Sequence, residues 1–161
     1  MKVIFLDIDG VLNSFSGLVK RGGQGLIGVF HEHEEILDWV LRLTGAKIVI
    51  SSSWRKGKTL KEFQFKTFTY RSICKAVIDM TPSLGTGIRG DEIKLWLDKS
   101  GYSVEEFVIL DDDSDMSSLM DHLVKTKNDH GHTYTEGLKV VEKLIGGEKA
   151  FQLVFNSGKV A

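Results

Sequence analysis

The chain has a single cysteine, a single proline and almost no net charge. Cys74 has no second cysteine to pair with, so the disulfide scaffold of a small secreted domain is excluded, and a reducing, cytoplasmic compartment is the expectation. Lys and Arg number 21 against 22 Asp and Glu, a formal charge of -1, so overall basicity offers no case for nucleic-acid binding. Any such case must rest on a local patch. Long hydrophobic runs are missing too. The apolar stretches are strand-sized, far short of the roughly 20 residues of a membrane helix. The first residues lack a basic region followed by a long apolar stretch, so neither a membrane span nor a signal peptide is expected. No repeat, low-complexity block or linker stands out. What remains is 161 residues, 42% hydrophobic and 27% charged, the composition expected of one soluble globular domain over 1–161.

Short apolar runs alternate with amphipathic ones. Residues 3–6 (VIFL), "AKIVI", "EEFVIL" and "HLVKT" read as strands, the first three buried on both faces, with a further short strand possible in "KAVIDM" before Pro82. "HEEILDWVLRLTG" sets Ile36, Leu37, Val40, Leu41 and Leu43 near one helical face, and "DEIKLWLDKSG" does so with Ile93, Trp96 and Leu97. "TEGLKVVEKLIGG" is a third helix, with Thr135 as its cap. "TLKEFQF" and "YRSICKAVI" are further helical candidates. Residues 14–30 are glycine-rich and aperiodic and read as a loop or short hairpin flap. In "KAFQLVFNSGKV", Phe151, Leu153 and Phe155 alternate, as in an edge strand or a loosely held tail. The pattern predicts an α/β three-layer sandwich around a mainly parallel sheet.

In such a fold ligands gather beyond the carboxyl ends of the strands. Three strands end there on polar clusters: Asp7 and Asp9; Ser51, Ser52 and Ser53; Asp111, Asp112 and Asp113. Alone, each has an ordinary reading as a turn, a loop or a solvated acidic run. Together they describe a site. Converging carboxylates repel unless a divalent cation sits among them, and hard oxygen ligands favour Mg²⁺. A bound Mg²⁺ attracts phosphate. One aspartate can then attack phosphorus while the second moves protons, the serines donate to phosphate oxygens, and a basic side chain neutralises charge in transit.

"FLDIDGVLNS" resembles the first motif of the haloacid dehalogenase (HAD) superfamily, an apolar strand ending in DxDG. "IVISSSWR", "RGDEIKLWL" and "FVILDDDSDM" are similar to its second, third and fourth motifs. The wording of "SSSWR" and "LDDDSDM" is further similar to a small bacterial and phage subgroup associated with RNA-repair proteins. The resemblance implies a HAD-type fold with a minimal cap and a Mg²⁺-dependent phosphomonoesterase. It makes Asp7 the nucleophile and a metal ligand. Asp9 becomes the general acid/base, its backbone carbonyl reaching the metal. Ser52 binds the phosphoryl group, with Ser51 and Ser53 as alternatives. Arg89 is the third-motif cation, with Lys94 as the alternative, and Asp111 and Asp112 complete the metal site. Asp113 and Asp115 face solvent or cap the following helix. Asp9 also separates chemistries, because family dehalogenases lack the second aspartate and phosphatases keep it.

A short flap leaves an open cleft, so the expected substrate is a phosphorylated nucleic-acid end or a nucleotide. The alternatives are a small metabolite and a catalytically idle phosphate-binding module of a repair complex. Arg55, Lys56, Lys58, Lys61, Lys66, Arg71 and Lys75 interleave with Phe63, Phe65, Phe68 and Tyr70. Such a stretch either tracks a polynucleotide or is a solvated face over core aromatics. Arg55 is the one expected to reach phosphate, and Trp54 reads as a packing residue. "GGQG" at 22–25 does not follow a strand and is no dinucleotide fingerprint. The pairs His31/His33 and His130/His132 suit one strand face each, but no third ligand lies near them to make a zinc site.

Overall fold

A computed structural model describes residues 1–20 and 29–156. Five strands, β1 (Lys2–Leu6), β2 (Lys47–Ile50), β3 (Val77–Met80), β4 (Glu106–Asp111) and β5 (Leu123–Lys125), form one sheet in the order β3-β2-β1-β4-β5. Every neighbouring pair is parallel. The helices are α1 (Phe15–Lys20), α2 (His31–Thr44), α3 (Leu60–Glu62), α4 (Arg71–Ala76), α5 (Arg89–Lys99), α6 (Tyr134–Ile145) and α7 (Gly147–Asn156). A π turn, Phe63–Thr67, extends α3, and 3-10 turns occupy Ser53–Lys56 and Ser117–His122. No helix among the described residues is long and apolar enough to cross a membrane.

The unbroken apolar run of β1 follows from burial on two sides. Ile4 and Leu6, with Ile48, Ile50, Val108 and Leu110, pack against Leu37 and Val40 of α2 and Val141 and Leu144 of α6. Val3 and Phe5, with Val49 and Ile109, face Ile93 and Trp96 of α5. Each such side chain, fully withdrawn from water, contributes about 1.5–3 kcal/mol. A polar residue at any of these positions would forfeit that gain.

Three local expectations are corrected. Residues 15–20 are helical rather than loop, and residues 21–28 of the expected flap, with "GGQG", lie outside the described residues. The "KAFQLVF" stretch is helix α7, because Ala150 and Val154, four apart, are its buried residues while Phe151 and Phe155 stack outward at 6.2 Å. The cap of α6 is Thr133, not Thr135. Glu136, three residues on, bonds back to the Thr133 amide and completes a capping box.

Candidate active site

The sheet register assembles the tips. Leu6 lies opposite both Ile50 and Leu110. Pairing continues one step past the strand ends on both sides: Asp7 N donates to Leu110 O at 3.0 Å and Ser51 N to Leu6 O at 3.0 Å. Asp7 therefore stands between Ser51 and Asp111. After Asp7 the chain turns through Gly10, whose φ of +75° favours a residue without a side chain. A second reason for glycine comes from β4. A Cβ at Gly10 would lie 2.3 Å from the Asp112 carboxylate carbon. The bare backbone lets Asp112 close on the first loop.

Asp7, Asp111 and Asp112 each offer an oxygen, and these lie within 4.8 Å of one another. Asp7 and Asp111 are buried, and the consequence is electrostatic. Burial raises the Asp7 pKa, against the lowering influence of Arg89, Ser52 and the Ile8 amide. Burial, reinforced by the Asp7 charge, pushes Asp111 up to about 7. Asp111 Oδ1 accepts from the Asp113 amide at 2.9 Å, but among the described residues its buried Oδ2 accepts no hydrogen bond and has only the Arg89 guanidinium, 3.5 Å away. A buried carboxylate oxygen left without a donor is costly. A divalent cation bound by all three acids would satisfy it, so the donor set fits an oxygen-coordinated metal such as Mg²⁺.

The cation of this cluster is Arg89, the first residue of α5. Its Nη1 donates to Asp7 Oδ1 at 3.0 Å and to Ser51 O at 2.5 Å, and lies 3.5 Å from Asp111 Oδ2. Burial lowers the Arg89 pKa, but Asp111 and Asp7 outweigh it and the net shift is upward. Lys94 is exposed further along α5. Gly90 explains why α5 can start so close to the acidic loop: a Cβ there would sit 2.2 Å from Met116 O. Asp115 caps this helix from outside, accepting from Arg89 N at 2.9 Å, so it caps α5 rather than a helix after it. Asp113 is exposed.

The serines divide. Ser51 and Ser52 are fully buried and Ser53 is exposed. Among the described residues Ser51 Oγ has no hydrogen-bond partner, whereas Ser52 Oγ accepts from Trp54 N at 3.3 Å. Asp9 projects from the cluster toward a different pair of donors, Trp54 Nε1 at 2.8 Å on Oδ2 and Asn13 Nδ2 at 3.3 Å on Oδ1.

Arg55 does not reach toward phosphate. Its guanidinium is buried, paired with Glu92 of α5, and donates to Ser51 O at 2.6 Å, Ser52 O at 2.7 Å and Thr81 O at 3.0 Å. The expected phosphate contact is thus replaced by a clamp that fixes the serine loop. Phe63 and Phe68 belong to the core, while Phe65 is exposed. His31 and His33 lie on α2 rather than on a strand. His130 is exposed, and His132 is enclosed, with neither ring nitrogen hydrogen-bonded among the described residues.

Four participants were not assigned from sequence. Trp54 carries a polar contact as well as packing. Asn13 shares Asp9 with it. Asn128 donates to Asp112 Oδ2 at 3.1 Å, two residues from the flagged His130. Glu92 holds Arg55. Asn13, Trp54 and Glu92 stand within the first, second and third motif stretches, whereas Asn128 had no local signal.

No curated protein and no solved structure matches the chain. A family model described as the HAD domain in Swiss Army Knife RNA repair proteins matches residues 3–136, and the chain belongs to that family.

Proposed function

We propose that the protein is a Mg²⁺-dependent phosphomonoesterase that works through an aspartyl-phosphate. The observation that carries this reading is the junction of Asp7, Asp111 and Asp112 at the strand tips, with Asp9 two residues past Asp7 and held by Trp54 and Asn13 instead. Asp7 attacks phosphorus. As its Oδ–P bond forms, the bond to the leaving oxygen breaks, and Asp9 gives that oxygen its proton. Water then attacks the phosphorus, Asp9 recovers a proton from it, and the Asp7 carboxylate and inorganic phosphate are released. Ser52 orients the phosphoryl oxygens and Arg89 balances their charge. A Mg²⁺ held by Asp7, Asp111 and Asp112 would supply further neutralisation of the phosphate.

A phosphorylated nucleic-acid end is the proposed substrate class. The family description supports it.

The test is a panel of phosphorylated oligonucleotides, nucleotides, sugar phosphates and an aryl phosphate, assayed with and without Mg²⁺. Phosphate release should need Mg²⁺, favour the oligonucleotides, and fall by at least about a thousandfold in Asp7→Asn. Activity surviving that substitution would remove the nucleophile. Tight phospho-ligand binding without turnover would instead identify an idle binding module.

A further inference from the structure

Asp9 is the exposed carboxylate of the site, and an exposed carboxylate ordinarily samples several rotamers. Here both oxygens are held. Trp54 Nε1 donates to one at 2.8 Å and Asn13 Nδ2 to the other at 3.3 Å. The indole donor is itself fixed in four ways. Its ring packs against the larger core, its backbone N–H is bound by Ser52 Oγ, its carbonyl accepts from Gly57 N at 3.1 Å, and the Lys58 ammonium lies 5.4 Å from the ring centroid. Packing alone would be served by any large apolar residue. The N–H is the added element.

We infer that Trp54 is a positioning residue for proton transfer, its indole N–H setting the rotamer in which Asp9 faces the leaving oxygen. This rests on the reading of Asp9 as general acid/base. An indole donates and never accepts, so it fixes Asp9 without competing for the acidic proton. The "SSSW" segment then serves both aspartates at once: Ser52 lies beside Asp7 and Trp54 beside Asp9.

The proton from Asp9 matters in proportion to how basic the departing oxygen is. An alkoxide leaving from an alkyl phosphate needs it as the P–O bond breaks, whereas nitrophenolate is a stable anion and needs little help. The step is contained in kcat/KM, which covers events up to formation of the aspartyl-phosphate. Trp54→Phe keeps a ring against the core and removes the donor. Its kcat/KM should be measured on p-nitrophenyl phosphate and on an alkyl phosphate in the same preparation, so that any loss of folded protein cancels from the ratio. The aryl-to-alkyl ratio should rise about tenfold over the wild type, a fraction of the full effect of a general acid. Trp54→His, which restores a ring N–H, should recover part of it. Equal losses on the two esters, or none on either, would overturn the inference. An Asp9→Asn variant that loses no turnover of the alkyl ester would overturn the general acid/base reading beneath it, so the two failures are distinguishable.

Discussion

At Gly10 two independent demands meet on one residue. The turn after Asp9 needs a left-handed backbone, and the fourth-motif acid needs the volume a side chain would fill. The first demand is local and can be read from DxDG as a tight turn. The second depends on a residue from β4 and cannot. Gly10→Ala should therefore cost about 1–2 kcal/mol for the backbone alone and displace Asp112 as well. Mg²⁺ should raise the melting temperature of the wild type and leave that of this variant unchanged. Thermal unfolding with and without the ion checks this, and an intact Mg²⁺ response would mean that Asp112 is dispensable. Trp54 and Arg55 teach the same lesson. Their neighbours in sequence suggested packing for one and phosphate for the other. Their real partners, Asp9 and Glu92, arrive from elsewhere in the chain.

Among elements, the strands and the long helices were legible because burial on one or two faces leaves a period in the sequence. The apolar runs before Asp7, Ser51 and Asp111 named the site's three walls. Helix α7 was misread because Phe151, Leu153 and Phe155 fit a period of two, while its inward pair, Ala150 and Val154, is small and inconspicuous until α6 lies beneath it. The clamp between elements was equally hidden. Arg55, in the turn after β2, and Glu92, in α5, are both buried and tie the serine loop to the helix that carries Arg89. Glu92 Oε1 also accepts from Leu84 N at 2.9 Å, so one carboxylate secures two connections. Glu92→Gln leaves a buried guanidinium without its counter-charge, which should lower the unfolding free energy by about 3–5 kcal/mol. Urea denaturation measures it. A loss under about 1 kcal/mol would show that the pair is solvated.

Across the whole molecule, titration of enclosed groups links folding to pH. Burial, with a smaller push from His33, lowers His132 from 6.5 to about 3, so the folded protein refuses a proton that the unfolded chain accepts. The His33 ring also contacts the His132 carbonyl at 2.8 Å. The contribution is intact above 6.5 and is lost as pH falls from there toward about 3, at about 1.4 kcal/mol per pH unit. Asp111 acts in the opposite sense without metal, since its folded pKa is raised, and it makes the native state less stable as pH climbs from 3.8 toward about 7. The two partly cancel, so the informative quantity is a difference. The stability of His132→Phe relative to wild type should shift in the variant's favour by about 2 kcal/mol between pH 7 and pH 5. A pH-independent difference would mean that His132 is hydrated. The strand order has its own consequence. β1 is the central strand, yet its register with β4 sets Lys2 opposite Glu106. A polypeptide that carries β1 but stops short of β4 would hold Asp7 without Asp111 and Asp112, the acids that oppose it. Half-made product would therefore be inert toward phosphate esters, and no truncated fragment ending before β4 should turn over substrate.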